Sequence, residues 1–255
     1  MESGNWFDLV DEFDLWAGLG ETATLWWRDD DAVRPSPRLD QLLAFTKRVP
    51  IALAVIPAAA EASLADRLAG SLNVTVLQHG WSHANHAGPS GYSEYPPDRT
   101  EREVKTELVA GRSRLSALFG AQALPVFVPP FHGFDNRFLP ALAGNQIVGL
   151  SRLGPRLAAR PFAGIAEANV HVSLFDWGIR RFGGDADALA SIVAHLSGRR
   201  QNAVDGAEPT GILTHHLVQD AASYEFLERL ILLVCAHPAA RWLDGYEVFD
   251  CSRPG

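Results

Sequence analysis

A single parallel α/β domain is the fold class this sequence predicts, on three observations. Seven short apolar runs recur along the 255 residues and alternate with segments of helical spacing. The runs are continuously apolar rather than alternating, as strands covered by helices on both faces must be. No linker, repeat or low-complexity stretch divides the chain, and an apolar fraction of 47% fills one large core while being too high for disorder. Residues 1–255 are therefore read as one domain, with residues 1–20 as an N-terminal helical extension. The runs themselves leave open whether the sheet closes into a barrel.

The elements follow in order. Residues 5–18 place Trp6, Leu9, Val10, Phe13 and Trp16 at helical spacing, closed by Gly18. This aromatic stripe reads as core-facing, with a partner-binding face as the alternative. A first strand over residues 22–28 leads into the acidic run Asp29-Asp30-Asp31. Ser36-Pro37 reads as an N-cap followed by proline in the first turn, opening a helix to about Lys47. Residues 51–56 form a buried strand stopped by Pro57, residues 58–69 a helix ended by Gly70, and residues 73–78 the strand that delivers His79. Residues 87–97 are rich in Gly, Pro, Ser and Tyr and read as a long loop bordering that strand end. A charged helix over residues 98–119 ends at Gly120, and four further strands are expected at 124–128, 146–150, 169–174 and 211–214. Helices are expected at 135–143, 185–197 and 221–235, with Pro140 kinking or delaying the first.

Charge and cysteine usage exclude several function classes. A net charge of −8 without any Lys/Arg cluster argues against a nucleic-acid surface. Cys235 and Cys251 are too few for a disulfide framework, and neither sits in a metal-binding spacing. The first residues lack the basic start and apolar run of a signal peptide, and no apolar stretch reaches the roughly 18 residues of a membrane span. The expectation is a cytoplasmic protein with no nucleic-acid or membrane partner.

Carboxylates and imidazoles gather at the strand ends, where α/β proteins place their chemistry. Three adjacent carboxylates repel one another unless a cation or hydrogen bonds compensate, and Arg28 is one source of compensation. His79 and His83 are four apart, so a helical turn or tight loop sets both on one side, and His86 adds a third imidazole. An acidic triplet alone is commonly a solvated turn, and a lone histidine pair commonly a strand cap with an exposed neighbour. Together, at two strand ends, they favour an open divalent-metal site and a metal-assisted hydrolase. His215-His216 ends the last predicted strand, and at most one of the pair points inward. Val128-Pro129-Pro130-Phe131-His132-Gly133 is a stiff turn that would hold a backbone N–H and an aromatic wall. Asp176, in Phe175-Asp176-Trp177, either orients a catalytic group or pairs with Arg180 or Arg181.

In order, the Asp-Asp strand end, the His-x3-His segment, the Pro-Pro-aromatic turn, the Asp-Trp pair and the closing Leu213-Thr214-His215 resemble the five motifs of polysaccharide deacetylases. That group is carbohydrate esterase family 4, or the NodB homology group, and the resemblance runs from about Leu25 to His215. It implies a distorted, NodB-like (β/α)7 barrel binding one divalent metal through an Asp and two His. Zinc is the expected metal, with cobalt, nickel or manganese as alternatives. A second Asp serves as general base and the late His as general acid. On this chain the metal histidines become His79 and His83, and the acid His215. Three aspartates stand where the family has two. One register makes Asp30 the base and Asp31 the ligand, with Ala32 at the family's glycine; the other makes Asp29 the base and Asp30 the ligand. The first is preferred. The family's third motif carries an arginine where this chain has Val128, so Asp176 loses its usual partner. Arg28 or another arginine then replaces it, or the base is tuned differently.

The implied reaction is hydrolysis of an amide, an N-acetyl group of an amino sugar or polysaccharide, with Phe131 and Trp177 lining the substrate. An alternative is a metal-dependent amidohydrolase acting on a small non-peptide C–N substrate, and a third is a non-catalytic carbohydrate-binding relative. A pocket closed by residues 87–97 would favour a small substrate, and an open groove a polymer.

Overall fold

The computed structural model of the protein describes residues 5–253. Its elements in chain order are α1 (Trp6–Gly18), β1 (Ala23–Ala32), α2 (Pro37–Leu43), β2 (Ile51–Val55), α3 (Ala62–Leu68), β3 (Val74–His79), α4 (Glu101–Phe119), β4 (Ala123–Val128), α5 (Leu139–Gly144), β5 (Gly149–Leu150), β6 (Ala166–Glu167), β7 (Val172–Ser173), α6 (Asp185–Arg200), β8 (Thr210–Thr214), α7 (Ala221–Ala236), β9 (Ala240–Leu243) and α8 (Gly245–Val248). Side-chain caps start several helices. Asn5 accepts the Phe7 and Asp8 amides ahead of α1, Ser36 accepts the Leu39 amide ahead of α2, and Thr100 forms a capping box with Glu103 at α4. Pro140 sits in the first turn of α5, behind a short 3-10 turn at Asn136–Phe138, so the proline delays this helix rather than breaking it.

Among the described residues the strands form one sheet of nine, every pair parallel, in the order β6-β5-β4-β3-β2-β1-β8-β7. β9 pairs with Ala23–Trp26 at the start of β1, on the edge that β2 takes further along. The two edge strands are joined by residues 168–171, and that link bridges the gap itself. Val170 donates to Arg152 O (3.2 Å) and accepts from Gly154 N (2.8 Å), while His171 N donates to Gly211 O (2.8 Å). The sheet therefore curls into a distorted barrel, as the family resemblance implies.

Burial divides along the strand alternation. Trp26, Ala52, Ala54, Leu77, Val126, Leu213 and Phe249 fill the lumen, while Leu25, Trp27, Leu53, Val55 and Ile212 pack outward beneath the helices. Phe249, just past α8, packs edge-on against Trp26 with ring centroids 5.7 Å apart. It plugs the lumen below the site, since α8 lies against Thr75 and Leu124 where β3 and β4 begin. The stripe of α1 is core-facing: Leu9, Phe13 and Trp16 are buried in the outer cluster, each contributing about 1.5–3 kcal/mol.

Three sequence expectations need correction. The acidic run does not follow the first strand but belongs to it, because β1 continues to Ala32. Of the strand expected at 169–174 only Val172–Ser173 is strand (β7), because Val170 and His171 before it bridge from β6 on the opposite edge. β9 carries no long apolar run and escaped notice; its Arg241 is exposed at the sheet's solvent side.

Candidate metal centre and cavity

Alternation along β1 sends Trp26, Arg28 and Asp30 into the lumen and Trp27 and Asp29 outward. Asp31 would then face outward too. Instead the pairing with β2 slips between Asp29 and Ala32, and Asp31 takes the left-handed backbone conformation (φ 73°). A bulge of this kind re-aims a side chain, and here it brings Asp30 and Asp31 into the same cavity.

His79 ends β3, and Gly80, in the left-handed region (φ 57°), turns the chain sharply so that His83 folds back beside it. The turn is held by Glu94 from the 87–97 loop. Its buried carboxylate accepts the Trp81 and Ser82 amides at 3.2 and 2.7 Å and the Ser82 hydroxyl at 3.1 Å. Asp31 Oδ1 stands 3.2 Å from His79 Nε2 and 3.4 Å from His83 Nε2. The three residues form a group able to hold a metal ion.

Two observations fit a cation there. His79 Nδ1 lies 3.1 Å from the Val128 carbonyl, which can only accept, so Nδ1 carries the proton and Nε2 presents a lone pair to Asp31. Asp31 Oδ1 is buried with no hydrogen-bond partner. Opposed lone pairs at this distance repel unless a cation or a proton lies between them. Donor atoms of a tetrahedral site with bonds of about 2.0–2.1 Å stand about 3.3 Å apart, which matches both separations. Without a metal a second proton serves: burial opposes charge on His79, yet Asp30 and Asp31 outweigh it and raise its pKa. Burial, joined by repulsion from His79, lowers the pKa of His83.

Asp30 is gripped in the lumen by Arg28, whose Nε and Nη2 donate to its two oxygens at 2.8 and 3.0 Å. Arg28 is in turn anchored through Nη1 to the Ser151 hydroxyl (2.6 Å) and carbonyl (3.2 Å), just beyond β5. Both partners of the pair are buried. Burial alone would raise the Asp30 pKa, but Arg28, with His79, His215 and His132, holds it below the usual carboxylate value.

Asp30, Asp31, His79 and His83 share a cavity of about 640 Å³ with Tyr92, Phe131, His132, Leu153, Ser173, Phe175, Trp177 and His215. The residues of the preferred assignment, Asp30, Asp31, His79, His83, His215, Phe131 and Trp177, are therefore in one place. Phe131 packs on His83 with centroids 4.4 Å apart, and Trp177 meets His215 edge-on at 5.3 Å. Tyr92, from the 87–97 loop, lines the cavity and packs on Phe131 at 5.6 Å.

Other candidates lie elsewhere. Asp29 is buried in the outer layer, accepting from the Thr214 hydroxyl (2.7 Å), the His216 amide (2.9 Å) and His216 Nδ1 (2.5 Å). His215 points to the lumen and His216 away from it, as alternation requires. Asp176 caps a local turn, accepting from the Gly178 and Ile179 amides, and neither Arg180 nor Arg181 takes its carboxylate. His86 is exposed and lines no part of the cavity. A second group, His171, His195 and Glu208, gathers near the start of β8. There His171 Nδ1 accepts the Gly211 amide at 2.9 Å, which leaves the proton of the neutral ring on Nε2, facing Glu208 at 3.4 Å. That ring has no lone pair for a cation, so this group is a buried polar clamp.

Sequence reasoning missed His132, Tyr92, Leu153, Ser173 and Phe175 as cavity residues, and Glu94 and Ser151 as supports. His132 in the stiff turn, Tyr92 in the 87–97 loop and Phe175 beside Asp176 lay in segments the sequence had marked, whereas Leu153, Ser173, Glu94 and Ser151 had no distinguishing signal of their own.

No protein-family model matches the chain, and no curated protein matches it in sequence. Solved structures do. A peptidoglycan N-acetylglucosamine deacetylase in complex with 4-naphthalen-1-yl-N-oxidanyl-benzamide aligns at TM-score 0.57 and 16% identity, over 99% of this chain and 94% of its own. A family 4 acetyl xylan esterase from Clostridium thermocellum, in complex with a cobalt ion, aligns at TM-score 0.51 and 17% identity, over 89% of this chain and 90% of its own. A protein from Bacillus anthracis described as a CE4 family pseudoenzyme aligns at TM-score 0.55 and 12% identity, over 92% and 67%. The chain has the fold of the family 4 carbohydrate esterases and polysaccharide deacetylases.

Proposed function

We propose that this protein is a metal-dependent hydrolase of a non-peptide carbon–nitrogen bond, removing the N-acetyl group of an amino sugar. The observation that carries the reading is the convergence of Asp31, His79 and His83 with Asp30 and His215 on one cavity. Asp31, His79 and His83 would hold the cation, zinc before cobalt, nickel or manganese, because two imidazoles and one carboxylate suit it. When bound, the cation supplies a Lewis acid that polarises an acyl carbonyl and lowers the pKa of water.

The chain's own residues do the rest. Arg28 keeps Asp30 ionised, and each Asp30 oxygen retains a lone pair beyond the one given to Arg28, so Asp30 takes the proton of the attacking water. The backbone N–H at Phe131 stabilises the developing oxyanion. His215 hands a proton to the departing nitrogen, which would leave poorly as an amide anion. Phe131 and Trp177 give the acetyl methyl and a sugar face an apolar wall.

A second reading changes only the substrate. The cavity is of small-molecule size, with Tyr92 of the 87–97 loop on its wall, which favours a monosaccharide or small amide over a polymer. The free thiols of Cys235 and Cys251 suit a reducing, cytoplasmic setting. Metal analysis followed by assays of acetate release from N-acetylglucosamine, its oligomers and small amides tests both readings. Stoichiometric metal, with release abolished in Asp30→Asn and His83→Ala, is the expected result. Absence of stoichiometric metal, or unchanged activity in both variants, overturns the proposal.

A further inference from the structure

We propose that His132 is a specificity-determining residue, which hydrogen-bonds a hydroxyl or amide of the substrate next to the scissile acyl group. The assignment rests on the hydrolase reading above and extends it to a residue outside the metal centre.

Phe131 and His132 are consecutive non-glycine residues in the left-handed region, at φ 57° and 61°. Two prolines precede them, and the His132 amide donates to Pro129 O at 3.1 Å, so the turn cannot relax by rotating elsewhere. At this φ glycine is the unstrained choice, and here, unlike the same φ at the exposed Arg180 and Asn202, the side chain it sets stands on the cavity wall. The imidazole lies in the cavity wall with Asp30 and His215, yet does not belong to the cation-binding group. Its Nδ1 is sealed among protein atoms with no hydrogen-bond partner, so it does not secure the fold, and the ring meets the cavity by its other edge. Burial, reinforced by Arg28, lowers its pKa to about 4, which keeps the ring neutral. A neutral imidazole offers one donor and one acceptor and no charge, which suits a hydroxyl or amide. The rest of the wall beyond the metal centre is mainly aromatic or aliphatic, so His132 is well placed to tell a polyhydroxylated substrate from an apolar one.

Zinc-loaded wild type, His132→Gly and His132→Asn would be melted, then titrated calorimetrically with acetohydroxamate and with N-acetylglucosamine. Acetohydroxamate needs only the metal and the acetyl pocket, whereas N-acetylglucosamine carries hydroxyls beside its acetamido group. Expected for His132→Gly is a melting temperature no lower than wild type, acetohydroxamate affinity within about twofold, and N-acetylglucosamine binding weaker by about tenfold. Asparagine, which tolerates the same backbone and keeps a polar head, should recover part of that loss. A His132→Gly protein that melts well below wild type, or that loses both probes equally or neither, overturns the assignment. So does a wild type that binds acetohydroxamate but not N-acetylglucosamine. A wild type that binds neither probe removes the hydrolase reading itself, and His132 with it.

Discussion

Replacing Arg28 by methionine removes the only guanidinium on Asp30 while keeping an apolar side chain of similar reach. The pair is sealed from solvent, with side-chain exposures of 0% and 1%, and joined by two short hydrogen bonds. Breaking such a pair from one side costs about 3–5 kcal/mol, because the carboxylate is left buried and unpaired. With an unfolding entropy of about 2.1 cal/mol/K per residue, a 255-residue protein loses about 6–9 °C of melting temperature. Asp30 can limit that loss by taking a proton, and this fixes the sign of the pH effect. In the wild type its pKa is depressed, so its contribution to stability is present above the unfolded carboxylate value and fades as pH falls through the folded one. Without Arg28 burial dominates and the pKa rises instead. The acid limb of kcat/KM should move upward by at least about one pH unit, equivalent to about 1.4 kcal/mol. Arg28→Met/Asp30→Asn should regain stability over Arg28→Met, since no charge is then stranded. Calorimetry and pH profiles of acetate release read all three effects. An Arg28→Met protein with an unshifted acid limb and a melting temperature within about 2 °C of wild type would refute the reasoning.

Three further outcomes follow from other parts of the molecule. Zinc at about 100 times its Kd should stabilise the chelator-treated protein by about 2.7 kcal/mol, and Asp31→Asn or His83→Ala should abolish that shift in thermal melts; equal shifts in all three proteins would place the metal elsewhere. Gly80→Ala sets a Cβ 1.9 Å from Glu94 Oε2 and 2.5 Å from Pro130 Cγ in a left-handed turn, so metal affinity should fall at least about tenfold while circular dichroism is retained. Unchanged affinity would show that the Gly80 turn does not place His83. His195 has a folded pKa lowered to about 3, by burial and by His171, from an unfolded value of 6.5. Stability is therefore full above pH 6.5 and declines below it, by about 2 kcal/mol at pH 5. Denaturant melts at the two pH values should show that loss, and a His195→Gln protein with the same pH dependence would exclude His195 as its source.

Much of the site was legible because its residues are written as short local clusters. His79 and His83 flank a single turn, Phe131 follows two prolines, and His215 closes an apolar strand. Each announces a strand end in an α/β fold, and strand ends of a parallel sheet converge whatever the intervening helices do. The supports were not legible. Ser151 lies 123 residues from Arg28, and Glu94 is a single carboxylate in a loop rich in Gly, Pro, Ser and Tyr. Neither has a pattern that periodicity could expose. The strand over 169–174 was misread for a related reason: its apolar residues serve as a bridge between two edges, and a bridge has the composition of a strand.

The amino-acid sequence by itself determined the parallel α/β class, the strand ends on which chemistry could stand, and the histidines that reach them, because apolar periodicity and cap residues are local properties of the chain. It also placed Asp29, Asp30 and Asp31 together without distinguishing them. Only the tertiary structure separated the three. Alternation sends Asp29 outward to His216 and Asp30 inward to Arg28, and a one-residue slip against β2 turns Asp31 back into the cavity beside His79 and His83. That slip is a property of pairing between two strands, and no single segment encodes it.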